Sequence, residues 1–152
     1  MATTSVEDTP WKINIVNEND LVDLLPLLQG YCEFYYQTEE ISRTSDELLL
    51  SVSRALIASP KQEGIPLLVR HVRDGKAVGN RLAITEDLYV DQSYRGQGIA
   101  DLLIGECARY AREHGALCLT WQTSVKNHHA QAVCDRCGAM KSDRWLNYTL
   151  PL

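Results

Sequence analysis

Gly96 and Gly98 bracket Gln97 in the stretch Leu88-Tyr89-Val90-Asp91-Gln92-Ser93-Tyr94-Arg95-Gly96-Gln97-Gly98-Ile99-Ala100, where an apolar strand end runs through glycines into an amphipathic helix. Glycine permits close approach of a ligand to the backbone and tolerates conformations closed to other residues. The unpaired amides of a first helical turn, with the positive end of the helix dipole behind them, attract anions. The chemistry this suggests is the holding of a phosphate or pyrophosphate. The stretch lacks the Gly-Lys-Ser/Thr ending of a P-loop and the three-glycine spacing of a dinucleotide turn. On these residues alone an ordinary strand-to-helix turn fits equally well.

Cys134-x-x-Cys137, with His128 and His129 upstream, is a second constellation with chemical potential. As a zinc site it lacks the second ligand pair that structural zinc ordinarily uses, and as a redox pair it lacks a preceding strand. No metal is expected.

The surrounding elements are legible from periodicity. Ile99, Leu102, Leu103, Cys107 and Tyr110 recur at helical spacing, and Gly115 closes that helix. Ala116 to Thr120 reads as a short strand parallel to the one before the loop, which gives a strand, loop, helix, strand unit. Upstream, Trp11 to Val16 alternates as a first strand, with Ile13 and Ile15 on one face. A first helix follows, with Asp20 as its cap and Leu21, Leu24, Leu25, Leu28, Cys32 and Tyr35 as its stripe. Pro26 implies a kink or restart within it. A second helix starts at the capping box Thr44-x-x-Glu47 and ends before Ser59-Pro60. Leu67 to Val72 is the second strand, and Asp74-Gly75 a turn. Arg144 to Leu150 reads as a final strand.

Arg95-x-x-Gly98-x-Ala100 after Leu88-Tyr89-Val90 resembles the acetyl-coenzyme A signature of the GNAT superfamily of N-acetyltransferases. Asn127-x-x-Ala130, opening a helix that ends at Cys137-Gly138-Ala139, resembles that family's second segment. The phrase Glu86-Asp87-Leu88-Tyr89-Val90 is most similar to the diamine and polyamine acetyltransferase branch. The resemblance is close over residues 82–150 and rests on element order alone before that. It implies an α/β fold built on a mixed, mostly antiparallel sheet flanked by helices. Only Lys76 to Asp87 separates the Asp74-Gly75 turn from Leu88, and Gly79-Asn80 could itself be a turn, so the third strand is expected to be shortened or missing.

The implied activity is direct transfer of acetyl from acetyl-coenzyme A to an amine of a small molecule or peptide. Leu88, Tyr89, Val90, Arg95, Gly96, Gln97, Gly98, Ile99, Ala100, Asn127 and Ala130 are then the coenzyme-binding residues, with a backbone amide within Leu88 to Val90 facing the oxyanion. Glu86 is the candidate base, because an attacking amine must be neutral; a solvated strand residue is the alternative. The family's usual tyrosine acid falls at Cys134. A thiol with pKa near 8.5 is more acidic than tyrosine at about 10, but it is a weaker hydrogen-bond donor. Cys134 is therefore a weakened acid, a small core residue, or the mark of a poorly catalytic relative. That last possibility gives the competing reading, an acetyl-coenzyme A-binding sensor or partner subunit. Tyr31, Phe34, Tyr35 and Tyr36 either line an acceptor pocket or form core.

At 152 residues the chain is sized for one domain, 11–152, behind a flexible segment 1–10. A net charge of −5 without a basic face argues against nucleic acid as a partner. No apolar run has membrane-spanning length. Five cysteines without a secretory leader suggest a reducing, cytoplasmic setting. The family's final strand often helps form a dimer, so a homodimer is expected.

Overall fold

The computed structural model describes residues 9–39, 43–59, 65–81, 88–144 and 146–152. They fall into two compact units that meet between Gln122 and Thr123.

The first unit is built on four antiparallel strands in the order β1-β2-β3-β4: β1 (Trp11–Ile15), β2 (Leu67–His71), β3 (Ala77–Arg81) and β4 (Leu88–Val90). β2 lies between β1 and β3, and its residues Leu67, Leu68 and Val69 are each at most 2% exposed. Side chains alternate across a sheet, so such an unbroken buried run requires cover on both faces. On one face Leu67 and Val69 pack with Trp11, Val78, Val90 and the residues Ile99, Leu103 and Cys107 of α3 (Ile99–Glu113). On the other, Leu68 packs with Leu21, Leu24, Leu27 and Leu28 of α1 (Leu21–Glu39) and Leu56 of α2 (Asp46–Ala58).

The third strand is a full five residues, which corrects the expected stub. Gly79 and Asn80 lie within β3, opposite Val90 and Tyr89, rather than in a hairpin turn. The pairing of β2 with β3 shifts register between Val69, opposite Gly79, and Arg70, opposite Ala77. Gly79 is there for space: a Cβ would lie 3.0 Å from Ile99 Cγ2 and 3.1 Å from the Tyr89 carbonyl oxygen. Two expected strands do not form among the described residues: neither 116–120 nor 144–150 has strand structure there, and Trp145 lies outside them. The described sheet is therefore wholly antiparallel.

Smaller differences have local causes. Ser45, not Thr44, caps α2, its hydroxyl accepting from the Leu48 amide at 3.3 Å. α1 runs through Pro26 without a restart, and Leu27, not Leu25, completes its buried stripe. In β1, Trp11 is buried while Ile15 is 55% exposed.

Asp20 does not cap α1. It closes a short 3₁₀ turn (Glu18–Asp20) in a reciprocal capping box with Asn17, its Oδ2 accepting from the Asn17 amide at 3.0 Å and the Asn14 amide group at 3.1 Å. Its Oδ1 accepts from Arg70 Nη2 at 2.8 Å, and Arg70 Nη1 donates to Asp23 and the Gly75 carbonyl, tying β2 to the start of α1. Burial pushes the Asp20 carboxyl up, but the Asn17 amide, Arg70 and Asn14 outweigh it, so its pKa lies below the ordinary value. The lowered pKa means that Asp20 stabilises the fold above about pH 4 and that this stability is lost as the pH falls through the lowered value. We expect Asp20→Asn to lose about 2 kcal/mol at pH 7 by urea unfolding, with the gap to wild type narrowing as the pH falls below about 4. An unchanged gap across that range would remove the carboxylate's charge from the account.

The second unit contains α4 (His128–Arg136). Asn127 is its cap, Oδ1 accepting from the Ala130 amide at 3.0 Å, and it ends at Cys137 as expected.

Candidate active site

β4 is the last strand of the sheet, so one of its edges has no strand partner among the described residues. The Asp91 amide donates to the Val78 carbonyl across β3 at 2.7 Å. Backbone groups in an antiparallel strand alternate in direction, so Tyr89 also faces β3 while the N–H and C=O of Leu88 and Val90 point to the open edge. That edge offers the donors a developing oxyanion requires.

Directly after β4, Asp91 caps a 3₁₀ turn (Gln92–Tyr94) by accepting from the Ser93 amide at 2.9 Å. The chain then passes through Gly96 and Gly98, both with positive φ, 77° and 81°. Gly98 stands at the N-cap of α3, and the Leu102 amide is bonded to its carbonyl at 3.1 Å. The amides of the preceding first-turn residues Ile99, Ala100 and Asp101 have no carbonyl behind them in the helix. Among the described residues, no atom beyond its chain neighbours lies within 4 Å of where a Cβ at Gly98 would stand. The loop thus presents a helix N-terminus over open space, which fits a pyrophosphate. Burial of Ile99 at 1% exposure and Leu103 at 0% seats α3 against the sheet and fixes that N-terminus.

Arg95 turns toward the protein. Its Nε donates to the Val90 carbonyl at 3.1 Å, and its guanidinium carbon lies 5.8 Å from the Phe34 ring centroid and 5.5 Å from that of Tyr89. Tyr89 extends to α1, where a Cβ on Gly30 would meet its hydroxyl at 2.6 Å. A cleft of about 240 Å³ opens beside it, between α1 and the adjoining ends of β3 and β4, lined by Asp23, Pro26, Leu27, Lys76, Tyr89 and Asp91 among others. Phe34 meets Tyr35 edge-on at 5.3 Å, and Tyr35 is tilted against Tyr31 at 4.8 Å. The aromatic end of α1 therefore reaches the glycine loop through Arg95. Neither Phe34 nor Gly30 stood out as a partner of that loop in the sequence, since the contacts join positions some sixty residues apart.

Of the other sequence candidates, Glu86 lies outside the described residues. Leu88, Tyr89, Val90 and Arg95 to Ala100 are contiguous in the first unit, whereas Asn127, Ala130 and Cys134 belong to the second. Asn127 and Ala130 are bonded to one another as cap and capped residue. Cys134 Sγ lies 3.8 Å from Thr123 Oγ1, and the Cys137 thiol donates to the Cys134 carbonyl at 3.1 Å. No group of three metal-ligating side chains assembles among the described residues. Cys107 is a packing residue whose thiol burial pushes up in pKa.

Comparison with known proteins agrees with this geometry. A curated relative, an uncharacterized N-acetyltransferase YhfO of Bacillus subtilis (strain 168), is 27% identical over 136 residues, covering 87% of this chain and 91% of its own. The fold superposes on a crystal structure of a probable acetyltransferase with a TM-score of 0.76 at 25% identity, over 93% of this chain and 97% of that one. It also superposes on the aminoglycoside N-acetyltransferase AAC(6')-Iy, solved in complex with CoA, with a TM-score of 0.74 at 18% identity, over 93% and 95%. Residues 30–139 match the acetyltransferase (GNAT) family, which is most of the chain, and the protein is accordingly an acyltransferase belonging to that family.

Proposed function

We propose that the protein transfers acetyl from acetyl-coenzyme A to a primary amine, with the pyrophosphate held by the backbone from Gly96 to Ala100 and the thioester alongside the open edge of β4. The observation that carries this reading is the N-terminus of α3 standing over open space behind Gly98. The coenzyme supplies the activated acyl group. What this chain supplies is orientation: amides for the pyrophosphate, and outward N–H groups on β4 for charge that grows on the acyl oxygen.

The acceptor enters, in this proposal, through the cleft between α1 and β4, where Asp23 and Asp91 offer carboxylates to a cationic amine. Glu86, two residues ahead of β4, takes the proton that makes the amine a nucleophile. A diamine or polyamine acceptor rests on the Glu86-Asp87-Leu88-Tyr89-Val90 phrase. The full-length β3 removes one of the two grounds for an inactive coenzyme-binding relative, and Cys134 alone remains on that side.

Acetyl-coenzyme A at one hundred times its Kd should stabilise the protein by about 2.7 kcal/mol, raising Tm by several degrees. Thiol release over a panel of polyamines, amino acids and aminoglycosides then identifies the acceptor. With the best amine, Glu86→Gln should lower kcat/KM by about 10²–10³-fold and abolish the acidic limb of its pH profile. An unaltered limb would dismiss Glu86 as the base, and binding without turnover of any amine would favour the sensor.

A further inference from the structure

Three elements converge on the Arg95 side chain. From the coenzyme loop it reaches the Val90 carbonyl on the open edge of β4, and its cation lies near the rings of Tyr89 on β4 and Phe34 on α1. Cations are drawn to the negative faces of aromatic rings, and Arg is the residue that combines this with a directed N–H fork. Val90 matters because its C=O points to the open edge, where β3 supplies no partner. That carbonyl shares its planar peptide with the Asp91 N–H, which donates to the Val78 carbonyl at 2.7 Å, so the Arg95 bond and the β3 ladder hold one peptide from opposite sides.

We propose that Arg95 is a positioning residue: it clamps the glycine loop to the aromatic end of α1 and braces the Val90–Asp91 peptide at the end of β4, leaving the phosphates to backbone amides. The inference rests on the acetyl-coenzyme A reading above. It predicts that the donor loop and α1 behave as one coupled unit, so that a change on α1 is felt in coenzyme affinity although Phe34 lies outside the glycine loop.

A double-mutant cycle of Arg95→Met and Phe34→Leu tests it, read by calorimetric titration with coenzyme A and by urea unfolding of the unligated protein. If the clamp is real, Arg95→Met weakens coenzyme A binding about three- to tenfold, and the double variant is no worse than Arg95→Met alone, because the two changes break one contact. The salt dependence of binding stays at its wild-type slope, since no phosphate-paired charge has been lost. Multiplicative effects of the two changes, or no effect of Arg95→Met, would overturn the proposal. So would a loss of about a hundredfold with a flattened salt dependence, the mark of a phosphate-paired cation. Should the wild type fail to bind coenzyme A, the coenzyme reading falls, while the unfolding cycle still decides the clamp: coupled unfolding midpoints support it and independent ones sink it.

Discussion

Gly98→Val should weaken acetyl-coenzyme A binding by about a hundredfold or more while leaving the protein folded. Gly98 has φ of 81°, and a non-glycine residue in that region is strained by roughly 1–2 kcal/mol, more when β-branched. The strain alone predicts a fall in Tm of several degrees. The larger effect comes from position. A valine side chain would occupy the open space at the N-cap of α3, beside the proposed pyrophosphate site. Gly115, with φ of 79° after the other end of the same helix, separates the two contributions. Gly115→Val should match the stability loss and keep coenzyme affinity near wild type by calorimetric titration. Equal affinities for both variants would mean that the anion lies elsewhere.

Leu103→Ala should produce a large loss of stability, about 2–5 kcal/mol by urea unfolding. Leu103 is 0% exposed in the cluster that joins α3 to Trp11, Leu67, Val69, Val78 and Val90. Truncation there removes the side chain's transfer free energy and leaves a cavity between two rigid elements that cannot readily collapse onto it. Because α3 carries the proposed coenzyme loop at its N-terminus, the same variant should bind acetyl-coenzyme A more weakly, although its side chain faces the core. A loss under about 1 kcal/mol would indicate that α3 is docked by other contacts.

The turn from β4 into α3 was legible because its signal is local: two glycines, the strand before them and the helical stripe after them are contiguous. The third strand was misread for an equally physical reason. Gly79-Asn80 has the composition of a hairpin turn, but the glycine serves the approach of Ile99 and the Tyr89 carbonyl, a demand that arises only once α3 and β4 are in place. Thr44 and Ser45 are both able caps, and spacing to Glu47 favoured the wrong one by a single residue. The apolar run at 116–120 satisfies strand propensity, yet propensity supplies no pairing partner, and none forms among the described residues. The Arg95 contacts were beyond reach altogether, since no periodicity connects residue 34 to residue 95.

The strand order β1-β2-β3-β4 has a kinetic side. β2, β3 and β4 follow one another closely in the chain, so their pairing closes short loops. The β1 pairing sets Ile13 beside Val69 across α1 and α2, and it closes a much longer loop. Loop entropy rises with the logarithm of length, and contacts distant in sequence are the slow ones to form. The strand farthest from β4 in the sheet is thus the one whose docking is entropically most expensive. The edge proposed to carry the chemistry belongs to the portion that can assemble from local contacts.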